Sequence, residues 1–427
     1  MNIVDSFADI SRFVQLRRDI HRHPELGFEE HRTSKIVADL SRFVALRRDI
    51  HMHPELGFEE HRTSKIVAEL LREWGIEVHT GVAGTGVVGV LRGSKAGSRT
   101  IGLRADLDAL PLQEENRFAH RSRHDGRMHA CGHDGHTTML LAAAWHLART
   151  RDFDGTVHFI FQPAEEMGKA GALKMVQEGL FERFPCEAVF ALHNFAVPAG
   201  SFAVNPGPLM ASSNTWRVTL HGRGTHASQP HTGIDPVAAV IDLGQQLQAL
   251  VARVIPSTER ALLAVTQIQG SGAPNVIPDE AWVGGTVRTF STEATDRIEA
   301  GIRRLAEGIA AAHGCRAELG FRRASPPVVN HEREARFAAG VMREIVGATH
   351  VDDNFPAVMA AEDFAHMLNV RPGCYAFIGN GDGGHRLPDH GPGPCIIHNT
   401  SFDFNDEILP IGASYFVRLA QQWLAQH

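Results

Sequence analysis

Short apolar runs recur along the chain, and several of them end in a strongly polar motif. The runs TIGL (100–103), TVHFIF (156–161), AVFAL (188–192) and CYAFIG (374–379) lead into RADLDALP, QPAEE, HN and NGDGG. A helical pattern covers residues 137–149 between the first two runs. Strands that alternate with helices in this way predict an α/β sheet. Polar residues at the strand ends of such a sheet are where a site is usually built.

Residues 213–325 show a different pattern, which predicts a unit of strand, helix, strand, strand, helix and strand. This order is that of the ferredoxin-like split β-α-β-β-α-β unit. We therefore predict a two-domain α/β protein in which residues 1–212 and 326–427 form one domain and residues 213–325 are inserted as a second. The predicted elements of the insert are, in order, 216–222, 235–254, 262–270, 281–290, 292–314 and 316–323.

Each helix of this insert carries an apolar stripe with helical spacing. We expect the stripes to mark the faces that pack against the strands. The first stripe comprises Val237, Val240, Ile241, Leu247 and Val251, and the second comprises Ile298, Ile302, Leu305 and Ile309.

The N-terminus contains a tandem duplication. Residues 11–40 and 41–70 differ only at Gln15/Ala45, Arg22/Met52 and Asp39/Glu69. Two copies do not make a solenoid, which needs at least three repeats. The second copy continues into the rest of the chain, so we expect it to take the native place and the first to be an appendage. Because no Gly or Pro falls between Gly27 and Pro54, the junction predicts one long helix.

The copied histidines have two interpretations. His21, His23, His51 and His53 could form a second site, but polar capping of a helix–loop–helix element is the interpretation we favour.

Composition narrows the classes of function. The chain has 427 residues, of which 43% are hydrophobic, and a net charge of −7, so nucleic acid is not an expected partner. No apolar run is long enough to span a bilayer, and the N-terminus lacks the pattern of a signal peptide. Five scattered cysteines argue against a disulfide framework and for a reducing compartment. We expect a cytoplasmic protein without a membrane partner.

Four motifs carry side chains of the types that can bind metals. They are Cys131 with His133, QPAEE with Glu165 and Glu166, ALHN with His193, and CIIHN with His398. A thiolate, imidazoles and a carboxylate suit zinc or another borderline divalent ion. Adjacent carboxylates allow one to bind metal while the other takes a proton. Each motif alone is equally compatible with an ordinary loop. Three of the four lie where a predicted strand ends, which favours a joint site more strongly than any one motif does.

The motifs together resemble the M20 metallopeptidase family in its aminoacylase/amidohydrolase branch. The resemblance covers nearly the whole chain from residue 41 onward, and residues 11–40 as a duplicate. It rests on the segments RADLDALP, MHACGHDGH, FQPAEE, ALHN, HASQPHTGIDP, NVIPD, GTVRTF, AEDF and CIIHNTSFDFND.

The resemblance implies a metal-dependent amidohydrolase that cleaves N-acyl amino acids, such as N-benzoylglycine, with a water activated by two divalent metal ions. Zinc or manganese is the expected metal, with cobalt or nickel as further options. Glu165 would be the general base. The insert would be a lid and dimerisation domain, which implies a homo-oligomer. The implied metal ligands are Cys131, His133, Glu166, His193 and His398.

Further roles follow from the same resemblance. His226 of the insert would stabilise the oxyanion, while Asn275 and Arg288 would hold the carboxylate of the substrate. Other members carry an aspartate where Cys131 and His133 stand here, so the bridging ligand stays open. We expect Asp106, Asp108 and Asp134 to orient imidazoles, with loop hydrogen bonding as the alternative, and His136 and His231 to be structural.

Two other functions are compatible with the residues. One is a metal-independent hydrolase with Cys131 as nucleophile and a histidine as base. The other is a binding protein on an inactive hydrolase scaffold. Against the second, every implied ligand and the base are present.

Overall fold

A computed structural model describes residues 31–426. His21, His23 and the rest of the first copy up to residue 30 lie outside the described residues. No helix among the described residues is both long enough and apolar enough to cross a membrane.

The strands of the described chain include every run that the apolar pattern predicts. TIGL, TVHFIF, AVFAL and CYAFIG each lie within a strand. In chain order, the strands are β1 (Glu77–Val82), β2 (Gly86–Arg92), β3 (Lys95–Asp106), β4 (Asp154–Gln162), β5 (Ala188–Phe195), β6 (Phe202–Ala203), β7 (Gly207–Met210), β8 (Ser213–His221), β9 (Thr225–His226), β10 (Ala261–Gln269), β11 (Val276–Ile277), β12 (Glu280–Thr289), β13 (Arg316–Ser325), β14 (Val328–Asn330), β15 (Val351–Asp352) and β16 (Gly373–Gly379).

The α-helices alternate with these strands. Several begin with the signals expected of helix starts, such as the Asp235 and Ser291 side chains that accept backbone N–H groups of the first turn. In chain order, the helices are α1 (His31–Met52), α2 (His61–Glu73), α3 (His133–Thr150), α4 (Gly171–Gln177), α5 (Leu180–Arg183), α6 (Pro236–Leu247), α7 (Val251–Val254), α8 (Thr292–His313), α9 (Glu332–Val346), α10 (Ala365–Leu368) and α11 (Leu409–Leu424).

The large sheet has eight strands in the order β1-β2-β4-β3-β5-β16-β6-β15. Its four central strands, β4, β3, β5 and β16, are parallel to one another. Their carboxyl ends therefore lie at one edge of the sheet. The mixed α/β class predicted from the sequence is confirmed.

Both faces of this sheet are covered, because alternate residues of a strand point to opposite sides. On β2, Val87 and Leu91 belong to the core shared with α1, α2, α3, α9 and α11, whereas Val88 and Val90 belong to the core shared with α4, α5 and α10. The central strands are thus buried on both sides and hold their ends in fixed positions.

Residues 213–325 contain a second, four-stranded antiparallel sheet in the order β10-β12-β8-β13. Its elements follow one another as β8, α6, β10, β12, α8 and β13. Helices α6 and α8 pack on one face and share a core with the sheet. Val240, Leu247, Ile298 and Ile302 of the predicted stripes are buried there.

The prediction of a buried stripe is wrong for one residue, Ile241. Ile241 is 58% exposed, whereas Val240, Leu243 and Leu247 are buried. Successive helical residues are turned by about 100°. Ile241 follows Val240 directly, so it points away from the face that Val240 buries.

The junction of the two N-terminal copies is helical, as the absence of Gly and Pro predicts. Helix α1 runs from His31 to Met52 without a break and joins the end of the first copy to the start of the second. The second copy then continues through α2 into β1. It occupies the native place in the fold, since Phe43 and Ile50 are buried.

Candidate metal centre and active site

The candidate site lies at the carboxyl edge of the large sheet. Strands β3, β4 and β5 end at Asp106, Gln162 and Phe195. Asp106 closes β3, Glu165 and Glu166 follow β4 within four residues, and His193 lies in the last part of β5. The strand-end prediction therefore holds for these motifs, because parallel neighbours bring their ends together.

Cys131 and His133 reach the same edge from the start of α3. Gly132 between them has φ +90°, a left-handed conformation that favours glycine. A Cβ at Gly132 would collide with Oδ1 of Asn194 on β5. Glycine thus allows the turn that carries the thiol and the imidazole to lie directly against β5.

The predicted ligand atoms form one contiguous group. Sγ of Cys131 lies 3.4 Å from Nε2 of His193, and Nε2 of His398 lies 3.1 Å from Oε1 of Glu166. Ligand atoms of Cys131, Glu166 and His398 lie within 4.8 Å of one another, and the same holds for His133 with Glu165 and Glu166.

His398 reaches this group by a route that the sequence pattern did not predict. The apolar run before it is not a strand; His398 stands in a turn with φ +63°. Its backbone N–H donates to the carbonyl of Ala130 over 2.7 Å. This hydrogen bond ties the turn to the Cys131 loop, which explains how a residue far along the chain joins the cluster.

Three polar atoms of the group are buried and make no hydrogen bond of good geometry among the described residues, although each lies within 4 Å of a group of opposite polarity. They are Nδ1 and Nε2 of His133 and Oε1 of Glu166. His133 is fully buried. Unpaired buried polar atoms cost free energy, so native proteins normally give them a partner. A thiol, three imidazoles and carboxylates that converge with such atoms fit divalent metal ions.

Two aspartates of RADLDALP arrange the group. Oδ1 and Oδ2 of Asp108 accept the backbone N–H groups of Glu165 and Glu166, each over 3.0 Å, and Oδ1 lies 3.4 Å from Nδ1 of His133. Asp106 lies 2.6 Å from Nδ1 of His136. Both therefore contact imidazoles, as the sequence interpretation expects.

The group has more acidic than basic side chains, and the pKa directions reflect this. Although burial lowers it, the carboxylates of Asp106 and Asp108 raise the pKa of His133 to about 10. Burial, with Glu362 and Glu166, raises the pKa of Glu165 well above its usual range. Burial, with Glu166 and Glu165, also raises the pKa of the Cys131 thiol. The shift of the His133 pKa indicates nearby carboxylates that favour a positive charge, whereas the shifts of Glu165 and Cys131 come first from burial, which disfavours their charged forms.

His136 lies directly beside the predicted ligands. His136 was expected to be structural, yet ligand atoms of Asp106, His133, His136 and His193 lie within 4.8 Å of one another. Its ring nitrogens contact Asp106 at 2.6 Å and Oδ1 of Asn194 at 2.7 Å. His136 thus links the ends of β3 and β5 beside the predicted ligands. The HDGH spacing on one turn of α3 was the available signal.

A buried ionic network that the sequence did not reveal lies beside Glu165. The guanidinium of Arg104 donates to Asp106 over 2.6 Å and to Glu362 over 2.8 Å. The hydroxyl of Tyr375 donates to the other oxygen of Glu362 over 2.8 Å. Ligand atoms of Glu165, Glu362 and Asp363 lie within 4.8 Å of one another. The AEDF motif at 361–364 was the one sequence signal for this network.

Asp134 contacts residues of the second N-terminal copy rather than the predicted metal ligands. Its Oδ2 lies 2.9 Å from Nδ1 of His51 and accepts from Arg47 over 3.2 Å. Although burial lowers it, Asp134 and Glu114 raise the pKa of His51 to about 10. His51 of α1 therefore pairs with a buried carboxylate at the start of α3. The favoured interpretation, polar capping of a helix–loop–helix element, does not include this buried contact between His51 and Asp134.

A cleft of about 480 Å³ opens over the group. Cys131, Glu165, Glu166, His193 and His398 all line it, together with Arg288 from β12. Arg288 donates to the hydroxyl of Thr286 over 2.7 Å, and burial lowers its pKa.

His226 and Asn275 are not brought to this cleft. His226 is exposed on the β9–β11 pair, and its Nδ1 accepts from the hydroxyl of Ser228 over 2.8 Å. Asn275 is also exposed. It lies close to His226 in space, because its backbone carbonyl accepts the N–H of Ala227. Their roles stay predictions that require a movement of these strands.

Comparison with known proteins places this geometry in context. The model of peptidase family M20/M25/M40 matches residues 102–422. The hippurate hydrolase of Campylobacter jejuni is 38% identical, over 99% of this chain and 100% of that protein. An N-acetylcysteine deacetylase of Bacillus subtilis is 37% identical, over 96% of each chain. An IAA-amino acid hydrolase of Arabidopsis thaliana is 38% identical, over 96% of this chain and 86% of that protein.

Solved structures show the same fold. A dinuclear metal binding peptidase from Bacillus subtilis has a TM-score of 0.77 and 34% identity, over 91% of this chain and 99% of that chain. A putative aminohydrolase from Staphylococcus aureus has a TM-score of 0.83 and 28% identity, over 91% of this chain and 97% of that chain. The similarity thus includes a protein described as binding metal in a dinuclear manner.

Proposed function

Because the chain belongs to peptidase family M20/M25/M40, we propose that it is a metal-dependent amidohydrolase that cleaves the amide bond of N-acyl amino acids. N-benzoylglycine is the first substrate to test, since the hippurate hydrolase is similar over its full length. The observation that carries the proposal is a set of overlapping clusters at one sheet edge. Ligand atoms of Cys131, Glu166 and His398 lie within 4.8 Å of one another, and those of buried His133 lie equally close to Glu166 and to His193.

In this proposal Cys131, His133, Glu166, His193 and His398 hold two divalent metal ions, with zinc or manganese favoured by the mixture of sulfur, nitrogen and oxygen donors. When bound, the ions supply Lewis acidity that polarises the amide carbonyl and makes a water easier to deprotonate. Asp108 holds the backbone of Glu166 and lies against His133, which fixes two of these side chains before any ligand arrives.

Glu165 acts as the general base. Its carboxylate lies within 4.8 Å of His133 and Glu166 but is more exposed to the cleft than Glu166. It takes a proton from the attacking water and passes it to the nitrogen of the leaving amine. The breaking C–N bond then releases a carboxylic acid and the free amino acid.

The insert at residues 213–325 serves as a ferredoxin-like lid and dimerisation domain between the two parts of the catalytic domain, 1–212 and 326–427. Arg288 already lines the cleft and offers a fork of donors to the substrate's carboxylate. Movement of the insert would bring His226 to the oxyanion and Asn275 to the substrate. The catalytic rate should then fall in a His226→Ala variant that still binds metal normally.

A second copy of the chain is the partner we expect for this domain. Strand β10 lies at an edge of its sheet and carries the exposed side chains of Leu262 and Ile268, while Ile241 is exposed on the neighbouring α6. Apolar residues next to an unpaired strand edge favour association. Light scattering after gel filtration should give at least a dimer, and Ile241→Lys/Ile268→Lys should reduce it to a monomer.

A second candidate function rests on one contact. Sγ of Cys131 lies 3.4 Å from Nε2 of His193, which is the arrangement of a thiol nucleophile with its base. Cys131→Asp separates the two candidates, because an aspartate can bind metal but cannot form a thioester. The metal-dependent proposal expects part of the activity to remain, and the thiol mechanism expects none.

The experiment that tests the proposal compares Glu165→Gln with wild type on N-benzoylglycine and on N-acetyl amino acids. The substitution removes the base but keeps the shape of the side chain. We expect kcat to fall by about two to four orders of magnitude, since general-base catalysis contributes about that much. The metal content, measured by elemental analysis, should not change. Wild-type kcat in Glu165→Gln would overturn the role of Glu165.

A further inference from the structure

An aromatic surface stands next to the proposed metal ligands on the same side of the large sheet. Strands β5 and β16 are parallel neighbours in which Phe377 is in register with His193. Since side chains alternate along a strand, His193 and Phe195 of β5 face the same side as Tyr375 and Phe377 of β16. All four line the cleft.

Two of these rings form a stacked pair. The ring centroids of Phe195 and Phe377 are 4.3 Å apart, with an angle of 23° between the planes. Phe355 packs edge-on against both, at 6.2 Å from Phe195 and 5.8 Å from Phe377. Phe377 is almost fully buried, whereas Phe195 is only partly buried, so Phe195 is the ring that a ligand in the cleft would contact.

The position of the charged side chain in the cleft indicates which wall would contact each end of a substrate. An N-acyl amino acid has a carboxylate on one side of its amide and an acyl group on the other. Arg288, on β12 of the insert, is the cation among the residues that line the cleft. It offers a partner to the carboxylate, while the rings on β5 and β16 offer an apolar surface from a different wall. If the amide lies at the proposed metal ligands and the carboxylate at Arg288, the acyl group lies against the rings.

We propose that Phe195, supported by Phe377 and Phe355, forms the acyl subsite and makes the enzyme selective for aromatic acyl groups over acetyl. This inference rests on the proposed amidohydrolase function. An aromatic acyl group would stack on or pack against Phe195 and be removed from water, whereas an acetyl group is too small to cover the ring.

The test measures kcat/KM of wild type, Phe195→Ala and Phe195→Tyr for three substrates: N-benzoylglycine, N-acetylglycine and N-acetylphenylalanine. We expect wild type to prefer the benzoyl over the acetyl group on glycine. In Phe195→Ala this preference should fall by about tenfold or more, because even small losses of apolar contact change discrimination by that order. Phe195→Tyr keeps the ring and should keep the preference. Activity on N-acetylglycine reports whether the catalytic group is intact in each variant.

The outcomes separate the subsite from the function. If Phe195→Ala lowers all three activities equally, or if wild type shows no benzoyl preference, the subsite is wrong and the amidohydrolase stands. If the substitution instead changes only the use of N-acetylphenylalanine relative to N-acetylglycine, the rings hold the amino-acid side chain and the assignment is reversed. If wild type with added metal cleaves none of the three, the proposed function itself fails.

A second inference comes from the duplication. The second copy docks on the rest of the chain through Phe43 and Ile50, which are buried, and through Arg47 and His51, which bind Asp134. The first copy has the same residue types at each corresponding position. These positions are Phe13, Arg17, Ile20 and His21.

Two of the three positions at which the copies differ lie away from this docking surface. Ala45 and Glu69 are exposed. Met52 is partly exposed, and its backbone carbonyl, which any residue provides, accepts the N–H of Arg123 over 2.9 Å. Among the described residues, the side chains of Ala45, Met52 and Glu69 make no hydrogen bond to the chain outside the second copy, so the polar docking contacts do not depend on these positions.

We infer that the first copy can replace the second in its docking site and so protects the fold against damage to the second. When the first copy docks, residues 41–70 become an internal loop between residues 40 and 71. Closing a loop of thirty residues disfavours this arrangement by on the order of a hundredfold. The second copy therefore occupies the site in the intact protein, as the structure shows.

The test places charges in the buried face of one copy at a time. Phe43→Asp/Ile50→Asp disrupts the second copy, and Phe13→Asp/Ile20→Asp is its matched control in the first. Thermal unfolding is recorded for both, for the four-fold variant, and for Phe43→Asp/Ile50→Asp in a chain that lacks residues 11–40. We expect the full-length second-copy variant to unfold cooperatively, with its copy cut first by trypsin. The control should resemble wild type, and the other two chains should not fold.

If the full-length second-copy variant is as unstable as the chain that lacks residues 11–40, the first copy does not substitute and the inference is wrong. The same conclusion follows if both chains fold equally well, because the first copy then contributes nothing.

Discussion

Oδ2 of Asp108 accepts the backbone N–H of Glu166 over 3.0 Å, which ties the end of β3 to the loop after β4. This loop needs such support, because Ala164 and Met167 on either side of the two glutamates have φ +54° and +61°. Residues other than glycine adopt these values at a cost and only when their surroundings impose them. The hydrogen bond therefore positions both the proposed base and a proposed ligand.

The first prediction concerns this relationship. Asp108→Ala leaves the N–H groups of Glu165 and Glu166 without their acceptors, so both carboxylates should lose their fixed positions. We expect metal affinity and kcat each to fall by about 10- to 100-fold, as is usual when a group that orients metal ligands is removed. Asp108→Asn keeps one acceptor oxygen and should lie between. Metal titration of the two variants checks this, and an unchanged affinity in Asp108→Ala would count against it.

The second prediction compares two glycines with left-handed backbone. Gly132 has φ +90° and its Cβ would collide with Asn194, whereas Gly126 has φ +72° and no atom within 4 Å of the place that a Cβ would take. Gly126→Ala should cost about 1 kcal/mol, for the conformation alone. Gly132→Ala should cost clearly more and also weaken metal binding, because it moves Cys131 and His133. Chemical denaturation of both variants measures the difference, and equal losses would mean that the turn can relax.

The third prediction concerns Arg104. Replacing it with Met leaves the carboxylates of Asp106 and Glu362 buried without their common partner. Removing one partner of a buried ion pair typically costs about 3–5 kcal/mol of unfolding free energy. Arg104→Lys retains the charge but not the fork of donors and should lose less. Denaturant titration gives both values, and stability within about 1 kcal/mol of wild type in Arg104→Met would contradict the importance of the network.

The fourth prediction concerns acid stability. Burial lowers the pKa of His158 on β4 to about 4, from 6.5. The unfolded chain therefore binds a proton at this residue more readily than the folded chain between these pH values. Its contribution favours folding above pH 6.5 and is lost as pH falls toward 4, by roughly 3 kcal/mol in all. In His158→Phe, unfolding free energy should depend less steeply on pH in this window. The same substitution at exposed His231 should leave the wild-type slope, and an unchanged slope in His158→Phe would refute the assignment.

The elements that the sequence predicted well are those fixed by local pattern. The pattern of a short apolar run followed by a polar motif correctly predicted strands β3, β4, β5 and β16. Burial of these strands in the large sheet favours the same structure that their local pattern predicts. The same signal placed Asp106, Glu165 and His193 at one sheet edge. His398 was found by its motif alone, since its turn is held by the carbonyl of Ala130, far away in sequence.

What the sequence could not predict depends on long-range pairing. Arg104 and Glu362 are 258 positions apart, and nothing in either local pattern shows that they meet. His51 and Asp134 are 83 positions apart and form a buried ion pair that a capping interpretation overlooks. Ile241 shows a different limit. Its spacing is compatible with an apolar stripe on a helix, but the sequence does not show which side of the helix packs against the sheet, and Ile241 is exposed.

The most direct test of the central claim is a metal titration of the protein after chelator dialysis, with hydrolysis of N-benzoylglycine and N-acetyl amino acids as the readout. The proposal predicts that chelation abolishes activity and that zinc or manganese restores it, with a break at about two ions per chain. The same titration of His133→Ala should bind fewer ions and restore little activity. Activity that survives complete removal of metal would contradict the account and favour Cys131 as a nucleophile.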